Sequence, residues 1–238
     1  MSIPMKVDAT VNLSEVDSLL DPTPLPLEVG YERLPDGVLH VAARTDLPAC
    51  TGEMFEWWFR FRPNTRQYVW WHPIDHVSSE WEGGTADTHI GSTHVVTEKL
   101  TTIPDTELRI QFREPTEFFN PTSLGTARSA GAVSGVVVGR IGFGTHPDAD
   151  DTGAILGGRL IHLVRDTPWG AALRSHFFLG QDLPAAGLSP EVIAKEITDD
   201  FGPALLQHAY NEFTFLSKFL PSLYLGENRD KLDITPPW

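Results

Sequence analysis

The chain is poor in cysteine and in basic residues, and it has no long apolar run. One cysteine, Cys50, in 238 residues excludes an internal disulfide and a thiolate cluster, so a transition metal would have to be held by imidazole and carboxylate. Eighteen Lys+Arg against 32 Asp+Glu give a formal net charge of −14, which repels a phosphate backbone and argues against nucleic acid as a partner. No stretch approaches the ~18 uninterrupted apolar residues of a membrane span, and Met1 to Lys6 lack the basic flank and apolar run of a signal peptide. The expectation is a cytoplasmic protein with no membrane partner. The composition also has 41% hydrophobic residues, enough for one sizeable core, and nine histidines.

Residues 1 to about 50 are punctuated by Pro22, Pro24, Pro26, Pro35 and Pro48, and no amphipathic period survives long enough for a stable long element. This predicts an N-terminal arm (1–50) packed on the core or on a partner subunit, followed by a main domain (51–225) and a C-terminal tail (226–238). Thr51 is a suitable N-cap for a short aromatic helix through Phe59, with Glu53 and Glu56 in its first turns. Thr65 to Trp71 is too brief to decide between helix and strand, and Pro73 ends it. From residue 88 onward β-branched residues alternate, and strands are expected around 89–98, 107–112, 132–142, 156–165 and 172–179, the last two joined by the turn Thr167-Pro168-Trp169-Gly170. Asp148 to Gly153 reads as an exposed acidic loop that at most attracts a cation weakly. Ser189-Pro190-Glu191 opens a helix, Gly202-Pro203 kinks or restarts it, and Pro221 is expected to stop it after Leu220. The sum is an α+β fold, a curved antiparallel sheet around a long C-terminal helix with a cavity between them.

Three polar clusters interrupt this apolar pattern. His208 and Glu212 are four apart in the last helix, so imidazole and carboxylate stand one above the other on an otherwise buried face. That is the geometry of two metal ligands, and equally of a buried histidine bonded to its helical neighbour. On the strand His94-Val95-Val96-Thr97-Glu98, a period of two sends His94, Val96 and Glu98 to one face, either solvent or cavity. In His72-Pro73-Ile74-Asp75-His76, two histidines flank a turn whose aspartate can orient one of them. Facing one cavity, these clusters would form a plausible zinc set.

The runs Met54-Phe55-Glu56-Trp57-Trp58-Phe59, Tyr68 to His76, Gly91 to Glu98, His162 to Gly170, Arg174 to Gly180 and His208-x-x-x-Glu212 preserve one order over about residues 50 to 220. Together they resemble the 2,4-diacetylphloroglucinol hydrolase and phloretin hydrolase family. The resemblance implies a Bet v 1-like (START-like) helix-grip fold and a Zn2+-dependent hydrolase that cleaves the carbon–carbon bond between an acyl group and a polyhydroxylated ring. Its zinc ligands would fall on His76, Glu98, His208 and Glu212, with His72 as the alternative to His76. His162 would face the substrate, and His162 or His94 would help return a proton to the ring carbon. Trp57, Trp58, Trp70, Trp71, Phe177 and Phe178 are candidates for the walls around a small aromatic or polyketide substrate, although core packing explains such residues too. A substrate-holding tyrosine is replaced by Phe177 or Phe178, and the arm is short, which leaves a homodimer built through it open. A non-catalytic carrier of apolar ligands, or a metal enzyme of another reaction on a polyketide, are the other readings. Two buried carboxylates, Glu98 and Glu212, speak against a carrier.

Overall fold

The computed structural model describes residues 13–100 and 103–230. A 3-10 helix, Leu13–Leu20, leads into β1 (Gly30–Arg33) and β2 (Leu39–Pro48), then α1 (Gly52–Phe61) and α2 (Thr65–Trp71). Next come β3 (His76–Gly83), β4 (Ser92–Leu100), β5 (Ile103–Arg113), α3 (Pro121–Ser129), β6 (Gly135–Phe143), β7 (Gly158–Thr167) and β8 (Gly170–Leu179). The chain then forms α4 (Pro190–Glu196) and α5 (Phe201–Asn228). The eight strands make one antiparallel sheet in the order β1-β2-β8-β7-β6-β5-β4-β3. α5 packs against β1, β2, β4, α1 and α2, so the sheet grips the last helix as the α+β, helix-grip reading expects. Among the described residues no helix is long and apolar enough to cross a membrane.

Local chemistry explains where the elements begin. The Thr51 hydroxyl accepts the Met54 N–H at the start of α1, and Asn64 with Gln67 forms a reciprocal capping box that settles 65–71 as a helix. The β7–β8 hairpin turns over Pro168-Trp169, and Gly170 (φ +147°) is needed there because a Cβ would lie 2.3 Å from the Leu47 carbonyl oxygen. Gly202 opens α5 beside Tyr31, whose ring would meet a Cβ at 2.4 Å.

Alternation along the strands makes two cores, one on each side of the sheet. The inner one joins Val41, Leu173, Phe177 and Leu179 to Phe55, Trp58, Phe213 and Leu216 of the helices. The outer one sets Ile161, Leu163 and Phe178 against the 3-10 helix (Val16, Leu19) and α3 (Leu124, Ala127). Apolar burial of this kind is worth about 25 cal/mol per Å².

Several expectations need correction. Residues 30–48 are not an arm without regular elements: they supply β1 and β2, with β2 paired to β8 from Leu39↔Leu179 to Pro48↔Gly170. The prolines allow this because Pro35 lies in the β1–β2 turn and Pro48 at the last position of its strand. Residues 1–12 of that region lie outside the described residues, as do 231–238 of the expected tail. The Pro turn after α2 leads directly into β3, and α3 also went unread. Gly202-Pro203 lies in the first turn of a new helix, α4 being separate. Pro221 does not stop α5, which continues to Asn228. An interior proline costs about 3 kcal/mol, and the turns beyond it are held by packing. The Tyr224 hydroxyl donates to Glu53 (2.7 Å), its ring meets Trp57 edge-on, and Asn228 is buried.

Candidate metal centre and cavity

Four elements bring the polar residues together. β3 and β4 place His76 opposite Glu98, at the point where a register shift begins. α5 contributes His208 and Glu212 from successive turns, α2 contributes Tyr68, and the turn between α2 and β3 contributes His72 and Asp75. All seven are buried.

Hydrogen bonds fix which atom of each imidazole faces the centre. His76 Nδ1 lies 2.8 Å from the Tyr68 carbonyl oxygen and must donate to it, so Nε2 carries the lone pair. That Nε2 is 3.8 Å from Glu212 Oε2 and 4.0 Å from Glu98 Oε1, and it is buried without a hydrogen-bond partner. His208 Nδ1 donates to Asp75 Oδ2 at 3.0 Å, which turns its Nε2 toward Glu98 Oε2 (3.6 Å) and Glu212 Oε2 (4.0 Å). Tyr68 donates its hydroxyl to Glu98 and stacks on His76 with ring centroids 3.6 Å apart.

Two sets of these side chains have ligand atoms close enough to hold a cation, His76/Glu98/His208 and His72/Asp75/His208. They differ in surroundings. Glu98, His208 and Glu212 line a cavity between sheet and helix, whereas His72, Asp75 and His76 do not line it. His72 Nδ1 accepts the Asp75 backbone N–H (3.0 Å), and its ring stacks flat on His208 at 4.8 Å.

The electrostatics are those of a cluster short of positive charge. Burial alone would lower the His208 pKa, but Glu98, the Asp75 hydrogen bond and Glu212 raise it to about 9. Burial raises Glu212 to about 8, helped by the Glu98 and Asp75 charges and opposed by His208. Burial and the neighbouring His208 hold His76 well below its usual range, and burial with the Glu98 charge pushes the Tyr68 phenol well above its own. The Glu98 and Asp75 charges sustain the His208 cation, while Glu212 keeps a proton at neutral pH that a bound cation would displace.

His162 also lines the cavity, its Nδ1 2.9 Å from the Ser175 hydroxyl, and burial lowers its pKa to about 3, so it is a neutral imidazole. Phe55, Phe59, Phe177 and Phe213 surround it, with centroids 5.0–6.2 Å away. His94 is placed differently from the expectation. It is on the same buried face as Glu98, but four strand residues separate them by roughly 13 Å, and its Nε2 bonds to Ser79 Oγ at 2.8 Å. Ser79 gives its own proton to the Pro63 carbonyl, so His94 is the donor. His94 reaches the centre only through the Tyr68 ring, which it meets edge-on, and is not among the cavity-lining residues.

Of the candidate walls, Trp71 and Phe177 line the cavity, Trp58 is buried in the inner core, Trp70 is exposed, and Trp57 packs on Tyr224. Phe178 lies in the outer core, stacked on His40. Reading the sequence missed Tyr68 as a member of the centre. Its signal was the buried i, i+3 pair it makes with Trp71, one turn before the histidines.

A curved sheet gripping a helix, with buried imidazoles and carboxylates on one wall of an apolar cavity, has the form of an enzyme centre able to hold a metal ion. The chain belongs to the family of the DAPG hydrolase PhiG domain, whose model matches residues 11–225. It is similar to 2,4-diacetylphloroglucinol hydrolase of Pseudomonas protegens, 27% identical over 93% of this chain and 76% of that protein. It is also similar to phloretin hydrolase of Eubacterium ramulus, 24% identical over 84% of this chain and 72% of that protein. Both names denote hydrolases. Among solved structures, Ara h 8.0201 aligns over 78% of this chain and 99% of its own with TM-score 0.42 and 11% identity. A Thalictrum norcoclaurine synthase mutant aligns over 76% and 94%, with TM-score 0.36 and 14% identity.

Proposed function

We propose that this protein is a zinc-dependent hydrolase that cleaves the carbon–carbon bond joining an acyl group to a polyhydroxylated aromatic ring, with His76, Glu98, His208 and Glu212 as metal ligands. The observation that carries the reading is the buried, partnerless Nε2 of His76, aimed at two carboxylates on the cavity side of the fold. His72 Nε2 is also without a hydrogen-bond partner, but the carboxylate beside it is Asp75 (3.4 Å), which does not line the cavity, whereas His76 Nε2 faces Glu98 and Glu212, which do, and His76 is preferred on that ground. Two imidazoles and two carboxylates are a donor set that suits zinc. When bound, zinc supplies Lewis-acid polarisation of a carbonyl and makes water a better nucleophile near neutral pH.

The protein's own residues do the rest. The Tyr68 carbonyl and Asp75 fix the ring orientations of His76 and His208, and the Tyr68 hydroxyl holds Glu98. His162, neutral and tied at Nδ1 to Ser175, offers Nε2 to a ring hydroxyl. In the net reaction water gives OH to the acyl carbon, which leaves as a carboxylic acid, and H to the ring carbon. The keto tautomer forms first, His162 Nε2 taking a ring-hydroxyl proton and returning it to the ring carbon; when OH from water joins the acyl carbon and the carbon–carbon bond breaks, its electron pair falls back onto the ring oxygen, which takes water's remaining proton. The rings around His162 exclude water from that end of the cavity.

Metal content of the purified protein, measured by elemental mass spectrometry, tests the centre. About one zinc per chain is expected, with none in a His208→Ala, Glu212→Ala double variant. Metal retained by that variant, or absent from both, would overturn the ligand set. Incubation of the zinc-loaded protein with acylphloroglucinols, followed by chromatography for the free acid and the deacylated ring, tests the reaction.

A further inference from the structure

The cavity is divided by polarity in a way the reaction alone does not require. Its polar lining groups are Tyr68, Trp71, Glu98, His162, His208 and Glu212, and none comes from β5, β6 or the first turns of α5. Those elements contribute only Leu108, Ile110, Phe112, Ile141, Phe143, Phe201 and Leu205. Register puts Leu108 beside Phe143 and Ile110 beside Ile141, and the Phe143 and Phe201 rings meet edge-on at 6.0 Å. Along α5 the order Phe201, Leu205, His208, Glu212, Phe213 runs from apolar surface through the polar centre to the aromatic end that holds His162. At 1.5 Å per residue, Phe201 lies about 10 Å from His208 along the helix axis. Ile110, Phe143, Phe201 and Leu205 are also only partly buried, so this end is the open one.

From this arrangement we infer that the substrate carries an extended apolar acyl chain, several carbons longer than acetyl, which leaves the polar centre toward the mouth formed by β5, β6 and the start of α5. The inference rests on the acyl–aryl hydrolase reading: the ring occupies the aromatic end beside His162, and the scissile carbonyl meets the polar wall. The acyl chain then has only the apolar mouth in which to lie. A short acyl group would leave these partly exposed side chains in water, whereas each added methylene covers them.

The test uses zinc-loaded protein and a series of monoacylphloroglucinols from acetyl to octanoyl. In parallel, the affinity of alkylphloroglucinols, which lack the carbonyl and cannot be hydrolysed, is measured by quenching of tryptophan fluorescence. Both kcat/KM and affinity should rise roughly fourfold per methylene up to about hexanoyl. Leu205→Trp, which fills the mouth, should lower the octanoyl-to-acetyl ratio of kcat/KM roughly fifteenfold, the value of two methylenes. Hydrolysis at a rate flat or falling with chain length, with flat alkyl affinity, would overturn the chain site and leave the hydrolase reading standing. Alkyl affinity that climbs with length while no acyl compound is cleaved would support the chain site and remove the hydrolase reading. An unchanged ratio in Leu205→Trp would overturn the location.

Discussion

Two groups of buried histidines lie on opposite faces of one sheet, and they differ in charge: the outer pair is neutral, and the inner group contains a cationic His208. On the outer face His40 and His176 share a hydrogen bond of 3.0 Å between Nε2 and Nδ1, with Phe178 stacked on His40 at 4.5 Å. On the inner face are His72, His76 and His208. Burial is the same, since His40, His176 and His208 are all at most 3% exposed. Yet burial lowers His40 to about 4 and holds His176 well below its usual range, whereas His208 is raised to about 9. The difference lies in the carboxylates. Asp75, Glu98 and Glu212 lie within 4.0 Å of His208, and the outer pair has only Glu32, 3.6 Å away with its side chain 30% exposed. A neutral pair joined by one hydrogen bond, with His40 Nδ1 left partnerless beside a single part-exposed carboxylate, belongs to a core. Charges that converge without enough counter-charge belong to a site.

The strongest way to break this contrast is to remove one carboxylate from each group. Glu98→Ala deprives His208 of a buried counter-charge and Tyr68 of its acceptor, and should cost the metal-free protein roughly 3–5 kcal/mol in urea denaturation. Glu32→Ala, beside a neutral histidine and half open to water, should cost less than about 1 kcal/mol. Equal losses would mean that the two groups do not differ in kind. A smaller effect comes from Asp75→Asn, which keeps the size but weakens the hold on His208 Nδ1. Zinc affinity should fall roughly 10–100-fold in competition with a chelating dye. A variant that loses stability but binds zinc as before would make Asp75 a packing residue only.

How far the sequence spoke for itself differs between these groups. The helical spacing of His208 and Glu212 and the strand parity of Glu98 follow from local periodicity, and both point into the centre. His40 and His176 share a strand pairing 136 residues apart in the chain, which no local pattern reveals. Parity assigned His94 to the right face but not to the right depth, because alternation says nothing of distance along a strand. Asp75 does meet the neighbouring His72, with its carboxylate 3.4 Å from Nε2 and its N–H on Nδ1, but the hydrogen bond of its carboxylate goes to His208, 133 residues away, which no local pattern reveals. Prolines misled twice, at β1–β2 and at Pro221, because their cost is local while the packing that offsets it is tertiary.

The finest test is the pH dependence of stability, where the outer pair and the Glu212–His208 pair should pull in opposite directions. His40 is depressed to about 4 from an unfolded value of 6.5, so unfolding takes up a proton between these values and stability falls as pH drops from 6.5 to 4. Glu212 is raised from 4.5 to about 8 and His208 from 6.5 to about 9, so the metal-free protein holds their protons more tightly folded than unfolded. These two groups therefore contribute stability that is lost as pH rises, from 4.5 to 8 for Glu212 and from 6.5 to 9 for His208. His40→Leu with His176→Leu replaces both partners of the outer pair by apolar groups, a change that can be close to neutral, and should make the acid limb shallower while leaving the alkaline limb alone. Glu212→Gln should flatten the limb above pH 6.5 and steepen the rise between 4.5 and 6.5, where Glu212 opposes the outer pair. Urea midpoints measured from pH 4 to 9 on metal-free protein separate the two effects, and if the His40→Leu, His176→Leu variant also changed the limb above pH 6.5, the two histidine groups would be coupled through the sheet rather than independent across it.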